Sequence, residues 1–391
     1  GRRGDGEVKV IFSPRSGSPS VSSFFDVYPE EPVSQPLLGV VATVAVIAIS
    51  LAYLALFDFG TFVGWVAFVM LCLIPAQVVT VVLAPNPPYA RRFNQPARGA
   101  MLLLATTVVA AIVAPIALWA VGEGVAPPGP VPSHYAVIVV PTTFFLAIAF
   151  GGWPFTRWSK NGGVISFSVL LASYAITYAV FRIFFDYDFM QGAPVYLASA
   201  PSGLYNGVTA LVFYVTALAG MFLVLHFDLW PLTKFAGVMK QPVLGLVWLL
   251  ISLAAGVAVM QVTTGSMSKD PMWVLTRVTA PFIFGTIIVL NMLQNSLCAR
   301  LRQPLKGVVN TLAATVIGVA LGQVYGYFSD WYFNELPMGQ PGYEYELWLV
   351  NALLSVTFPF LIFYAAYFGY WPLSRPVTPG APVESARTEE A

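Results

Sequence analysis

The sequence predicts an all-α polytopic membrane protein. It would have about ten transmembrane helices, built as five tandem two-helix hairpin repeats of the same orientation, ringed around a central axis. Three observations predict this. Hydrophobic residues make up 58% of the 391 positions and charged residues 9%, against roughly 25% charged in a soluble domain. Apolar runs of about 20 residues recur, each long enough to cross a hydrocarbon core of roughly 30 Å. A Gln-Pro-x-x-Gly signature opens four of these runs.

Lipid offers no hydrogen bonds, so a spanning segment is a helix or a strand of a closed barrel. Barrel strands alternate polar and apolar residues. These runs do not alternate, so they read as helices. Residues 1–34 carry Arg2, Arg3, Asp5, Glu7 and Lys9 among many Ser, Pro and Gly and read as a cytoplasmic disordered tail, as do residues 377–391. The start of the chain lacks the basic-then-apolar layout of a signal peptide. Between the tails the repeats are assigned as 35–94, 95–160, 161–240, 241–302 and 303–376.

Each repeat opens on its signature: Gln35-Pro36-Leu37-Leu38-Gly39, Gln95-Pro96-Ala97-Arg98-Gly99, Gln241-Pro242-Val243-Leu244-Gly245 and Gln303-Pro304-Leu305-Lys306-Gly307. The third repeat opens on a degenerate copy, Lys160-Asn161-Gly162-Gly163. Proline suits a helix start, where its missing N–H is unpaired anyway. The glycine three residues on lets a neighbouring backbone come close. The first helix of each hairpin then runs to an acidic or Gly-rich turn.

The second helix carries a central proline and ends on a second one. Pro75 and Pro88, Pro141 and Pro154, and Pro359 and Pro372 are each thirteen residues apart. The third copy keeps the terminal Pro231 and has Leu218 in the middle; the fourth keeps the internal Pro281 and has Gln294 at the end. Three copies end in Trp-Pro, at Trp153, Trp230 and Trp371, as suits tryptophan at the headgroup level.

Basic loop residues mark the cytoplasm. Arg91, Arg92, Arg98, Arg157, Lys160, Lys234, Lys240, Arg300, Arg302, Lys306 and Arg375 follow second helices, accompanied by the single acid Asp228. The opposite end collects Asp58, Glu123, Asp186, Asp188, Asp270, Asp330, Glu335, Glu344 and Glu346, against Lys269 and the nearby Arg182 and Arg277. Both termini are therefore expected in the cytoplasm, in a plasma membrane of the bacterial inner-membrane type. A two-span repeat keeps every copy in one orientation, which disfavours rocking between inverted halves.

First helices are rich in small residues, and matched positions hold Ser50, Ala110, Gly256 and Gly318. The expected arrangement puts first helices inside, lining the axis, and the heavier second helices toward lipid. Gln261 and Gln323 occupy matched positions and read either as inter-helix hydrogen bonders or as lining of a polar path. A ring of five tandem hairpins resembles the architecture of the slow-type anion channel and tellurite-resistance transporter family. The resemblance lies in helix number and repeat logic. No sequence motif of that family is present, no functional residue is carried over, and the acidic outer face would repel anions.

Chemistry is sparse. The two histidines, His134 and His226, fall at opposite ends of the chain's spans, which argues against a haem held between them. No cluster of His, Cys and carboxylates suggests a metal, no catalytic motif appears, and no cofactor is expected. Cys72 and Cys298 are not expected to pair. Asp58, Glu123, Asp186, Asp188 and Asp330 are candidates for an outer mouth that concentrates cations, or the ordinary charge of outer loops. Arg182 and Arg277 are charges in spanning segments; snorkelling, or an i, i+4 pairing of Arg182 with Asp186, is the plainer role.

The function expected first is a channel or facilitator passing a small solute along the axis. The alternative is a non-catalytic integral membrane subunit or scaffold, whose long outer loops 186–204 and 330–346 would meet a membrane or extracytoplasmic protein partner or pigments. A membrane-embedded lipid enzyme ranks third. The bilayer is the expected surrounding, and nucleic acid is not an expected partner.

Overall fold

The computed structural model describes residues 35–374, so the expected tails at 1–34 and 377–391 lie outside the described residues. Ten helices are long and apolar enough to cross a membrane. They are α1 (Leu37–Leu54), α2 (Phe59–Leu83), α3 (Ala97–Gly122), α4 (Pro130–Ala149), α5 (Gly162–Phe184), α6 (Gly207–His226), α7 (Val243–Ser266), α8 (Pro271–Met292), α9 (Leu305–Phe333) and α10 (Glu344–Tyr367). Strand among the described residues is confined to β1 (Phe185–Asp186) and β2 (Tyr205–Asn206), paired in parallel. The protein is all-helical and multi-pass.

The helix starts follow from local chemistry. Pro36, Pro96, Pro242 and Pro304 stand immediately before α1, α3, α7 and α9, with φ between −86° and −89°. Each lacks the N–H that a first turn would leave unpaired. Asp58, Asn161, Asn206 and Asp270 instead cap α2, α5, α6 and α8 with side-chain oxygens that accept from first-turn N–H groups.

Burial divides the helices in two. In the second helices α2, α4, α6, α8 and α10, 67–78% of the most apolar stretch is buried within the protein; in the first helices α1, α3, α5, α7 and α9 it is 28–44%. This reverses the arrangement expected from residue size. The bulky, proline-bearing second helices are inside, and the first helices face outward. Lipid tails are as apolar as leucine, so hydrophobicity does not sort inside from outside in a membrane. A stripe of small residues marks where one helix approaches another, and here that approach is from the outside.

The second helices pack on one another in chain order: α2 on α4, α4 on α6, α6 on α8, α8 on α10, and α10 back on α2. Buried polar side chains join several of these pairs. Gln77 of α2 donates to the Pro359 carbonyl of α10 at 2.9 Å, Thr142 of α4 meets Tyr214 of α6 at 3.0 Å, and Thr216 of α6 meets Thr279 of α8 at 2.8 Å. Each first helix rests on two or three second helices. α1 lies on α8 and α10, α3 on α10, α2 and α4, α5 on α2 and α4, α7 on α4 and α6 with a lighter contact to α8, and α9 on α6, α8 and α10.

The inner helices are also the irregular ones. π-helical turns occur at Phe62–Val66 in α2, Phe145–Ala149 in α4, Leu275–Thr279 and Ile288–Met292 in α8, and Asn351–Thr357 and Phe363–Tyr367 in α10. Among first helices only α7 has one, at Gln261–Ser266. Two of these turns run up to the prolines Pro281 and Pro359, where the i to i−4 ladder is broken in any case. In α10 the Thr357 hydroxyl donates to the Ala352 carbonyl five residues back, supplying one of the rearranged bonds.

Candidate functional site

The four Gln-Pro-x-x-Gly signatures make one junction four times. Each glutamine Oε1 accepts from the N–H of its own glycine: Gln35 from Gly39, Gln95 from Gly99, Gln241 from Gly245 and Gln303 from Gly307, at 3.0–3.2 Å. Each glutamine Nε2 donates to a carbonyl at the end of a second helix in another hairpin. The acceptors are Met292 (α8), Tyr367 (α10), Ala149 (α4) and His226 (α6), at 2.6–3.2 Å. One side chain thus satisfies an orphan donor at a helix start and an orphan acceptor at another helix's end.

The glycine is required at the same contact. A Cβ on Gly99, Gly245 or Gly307 would run into the ring of Phe368, Phe150 or Phe227, and one on Gly39 into the Met292 carbonyl. At the degenerate copy, Gly162 meets the Leu83 carbonyl at the end of α2 in the same way, and Ser166 Oγ donates to Val79 at 3.1 Å. The second helices end here on paired left-handed residues: Gly151–Gly152, Asp228–Leu229, Gln294–Asn295 and Gly369–Tyr370. The α6–α9 junction adds a charge pair, Lys306 with Asp228 at 2.9 Å.

Toward this basic end, the five second helices line a cavity of about 20 Å³, on the order of one water. α2 contributes Val78, Val81 and Val82; α4 Phe144; α6 Phe222 and Leu225; α8 Thr286, Ile287, Leu290 and Asn291; α10 Ile362. Phe144 packs edge-on against both Phe222, with centroids 5.2 Å apart, and Phe358, 6.0 Å apart. These three rings come from three different second helices. The cavity's surface is almost wholly apolar, although Thr286 and Asn291 are among the residues around it. Behind Thr286 stands His226, fully buried, its Nε2 2.9 Å from the Thr286 hydroxyl.

The small residues expected on the axis lie elsewhere. Gly318 packs under the Pro281 carbonyl of α8 and Gly256 against Phe213 and Ala217 of α6. Ser50 and Ala110 are fully buried on outer helices, and Ser50 Oγ returns to its own helix at Val46. Their common role is close helix contact. Gln261 and Gln323 are exposed on outer helices.

The outer acids are engaged as caps and staples. Asp58 accepts from the N–H and hydroxyl of Thr61, and these bonds, the hydroxyl foremost, hold its carboxyl below the usual range. Glu123 accepts from the Ser199 N–H at 2.7 Å, and its contact with Ser199 lowers it likewise. Asp186 accepts from the Asp188 N–H, and Asp188 from Gln191 and Ser202. Asp330 is exposed. Arg182 donates to the Ser199 carbonyl at 2.7 Å in place of the expected bond to Asp186. Arg277 lies over the Tyr345 ring, 5.8 Å from its centroid.

Segment 186–204 is pinned by Tyr187, fully buried and 2.8 Å from His134 Nδ1. Burial pushes the Tyr187 phenol well above its ordinary range. Segment 330–346 is pinned by Tyr332 to the Ala55 carbonyl and by Tyr343 to Asp270. Cys72 and Cys298 are free and buried. Among the described residues no three of His, Cys, Asp and Glu group to hold a metal. The cavity-lining residues were not singled out from sequence; the available signal was the central proline, which marked the irregular helices.

No family model, no curated protein and no solved structure matches this chain.

Proposed function

We propose that this protein is a membrane channel or facilitator, closed in this conformation, that passes a small solute along the axis between α2, α4, α6, α8 and α10. Pairwise contacts that return from α10 to α2 favour reading the five hairpins as a closed ring of repeats. The four like junctions at the Gln-Pro-x-x-Gly signatures favour duplication. The basic end is assigned to the cytoplasm and the membrane to the bacterial inner (plasma) type, on the charge asymmetry alone.

The observation that carries the reading is a cavity reached by all five inner helices and walled in part by Phe144 and Phe222, with Phe358 packed edge-on against Phe144. π-helical turns are rare and recur at functional sites, and they concentrate in the helices that build this cavity. Purified protein in liposomes tests it. Phe222→Ala should raise flux of a permeant solute severalfold over wild type. A panel of solutes that never exceeds empty liposomes, in either protein, would remove the channel reading.

A second reading, a non-catalytic subunit or scaffold, is favoured by exposed apolar side chains on the outer segments. Phe189, Val195, Leu204, Tyr205 and Met338 are 47–67% exposed. A partner that co-purifies in fixed stoichiometry and is lost in Phe189→Asp and Met338→Asp would support it.

A further inference from the structure

We propose that the segment between α2 and α3, residues 84–96, is a binding site for an anionic phospholipid. Arg91 and Arg92 hold the headgroup phosphate, and Tyr89 and Phe93 sit in the bilayer interface beside them. The site does not depend on conduction along the axis.

Helix length sets the depth. α2 and α3 have 25 and 26 residues, roughly 37–39 Å at 1.5 Å per residue. Both are longer than a hydrocarbon core of roughly 30 Å, so the segment that joins them lies in the headgroup layer. Charge sets the ligand. Between Asp58 and Glu123 the chain holds no acid, and those two stand at the far ends of α2 and α3. Among the described residues one acid, Asp228, lies at the basic end, and Lys306 pairs with it at 2.9 Å. Arg91, Arg92 and Arg98 therefore stand in a field that favours an anion.

The backbone presents the arginines on a fixed turn. Pro87 and Ala90 are buried, and the Pro87 carbonyl accepts from the N–H groups of Ala90 and Arg91 at 3.0 Å. The Ala90 carbonyl accepts from Phe93 at 3.1 Å. Arg98, in the first turn of α3, donates from Nη2 to the Pro85 carbonyl at 3.2 Å and ties the start of the segment to its end. Arg91 and Arg92 are left exposed, with Tyr89 and Phe93 exposed on either side. Guanidinium groups offer paired N–H donors to a phosphate, and aromatic rings favour the membrane interface. A turn already held in place lowers the ordering cost of binding. Among the described residues no other basic segment sets adjacent arginines between exposed rings. Lys234, for one, lies over the Trp230 ring, 5.3 Å from its centroid.

Native mass spectrometry of the full chain in detergent tests this, with phosphatidylglycerol and phosphatidylcholine of the same acyl chains added together. Wild type should retain phosphatidylglycerol severalfold over phosphatidylcholine. Arg91→Gln combined with Arg92→Gln should weaken that retention roughly 10- to 30-fold, at unchanged melting temperature because both side chains are exposed. Lys269→Gln, which removes a charge at the acidic end, should leave it unchanged. Arg91→Lys combined with Arg92→Lys should fall between wild type and the glutamine pair. Equal retention of the two lipids by wild type overturns the proposal. A loss in Lys269→Gln as large as in the glutamine pair overturns the location. Full retention in the lysine pair overturns the arginine–phosphate bond. Displacement of the lipid by millimolar inorganic phosphate would make this a free-phosphate site and overturn the lipid assignment.

Discussion

The inner and outer helices of this protein cover the same range of apolarity, with mean hydropathies of 1.6–2.6 and 1.6–2.5, and differ in burial. α2 has a mean hydropathy of 2.6 in its most apolar stretch and α1 has 2.5, yet 72% of that stretch is buried in α2 and 44% in α1. Four of the five inner helices carry a central proline, and the inner set holds six of the seven π-helical turns. The outer set is more regular, and small residues on one side let it lie in the grooves between inner helices. In lipid the hydrophobic effect does not choose which helix goes inside. Packing and the satisfaction of backbone polar groups choose it.

The comparison predicts that equal truncations cost unequally. Phe222→Ala should destabilise the protein by about 3–5 kcal/mol, as expected of a fully buried phenylalanine. Ile112→Ala on the lipid face of α3, where the side chain is 56% exposed, should stay within about 0.5 kcal/mol. Thermal unfolding in detergent measures both, and equal losses would break the distinction between the two helix sets.

Next in size is the small-residue stripe. Gly318→Ala places a Cβ against the Pro281 carbonyl and should cost about 1–3 kcal/mol by overpacking. The same change at Gly237, where a Cβ meets nothing within 4 Å, should have little effect. A stable Gly318→Ala protein would return the glycine to the role of an open-axis residue.

The junctions come third. Gln95→Leu strands the Gly99 N–H and the Tyr367 carbonyl together and should cost about 1–3 kcal/mol. Gln95→Glu keeps the acceptor for Gly99 and loses the donor to Tyr367, so a smaller loss than in Gln95→Leu would separate the two bonds.

The smallest effect concerns pH at the acidic end. The Asp58 and Glu123 carboxyls are lowered on folding by Thr61 and Ser199. A depressed folded-state value adds stability that is present above the ordinary carboxylate range and lost as pH falls through the folded value. Both groups are fully exposed, so the loss below roughly pH 4 should be slight. Asp58→Asn and Glu123→Gln should flatten it, as melting temperature against pH would show.

The junctions also show how far residue patterns carry. Gln-Pro-x-x-Gly was legible as a helix start with a glycine for close approach, because proline and glycine act locally. The glutamine's second bond was not legible: its acceptor lies 77 to 272 positions away in all four copies. Residue spacing likewise placed Asp58 and Asp270 at helix ends. It left open whether such acids gather a solute or cap a helix, and the first-turn N–H groups at 2.8–2.9 Å answer for these two.

By itself the sequence determined that the chain is helical, multi-pass and about ten spans long, because backbone hydrogen bonding in lipid leaves no other spanning form for non-alternating apolar runs. It also located the four helix starts at the Gln-Pro-x-x-Gly signatures, since proline and glycine act within a few residues. Only the tertiary structure decided which helices are inside, what the small residues touch, and that Phe144 and Phe222 meet at a cavity reached by five helices. Those outcomes depend on how side chains from distant hairpins fit together, and no local propensity or hydropathy records that fit.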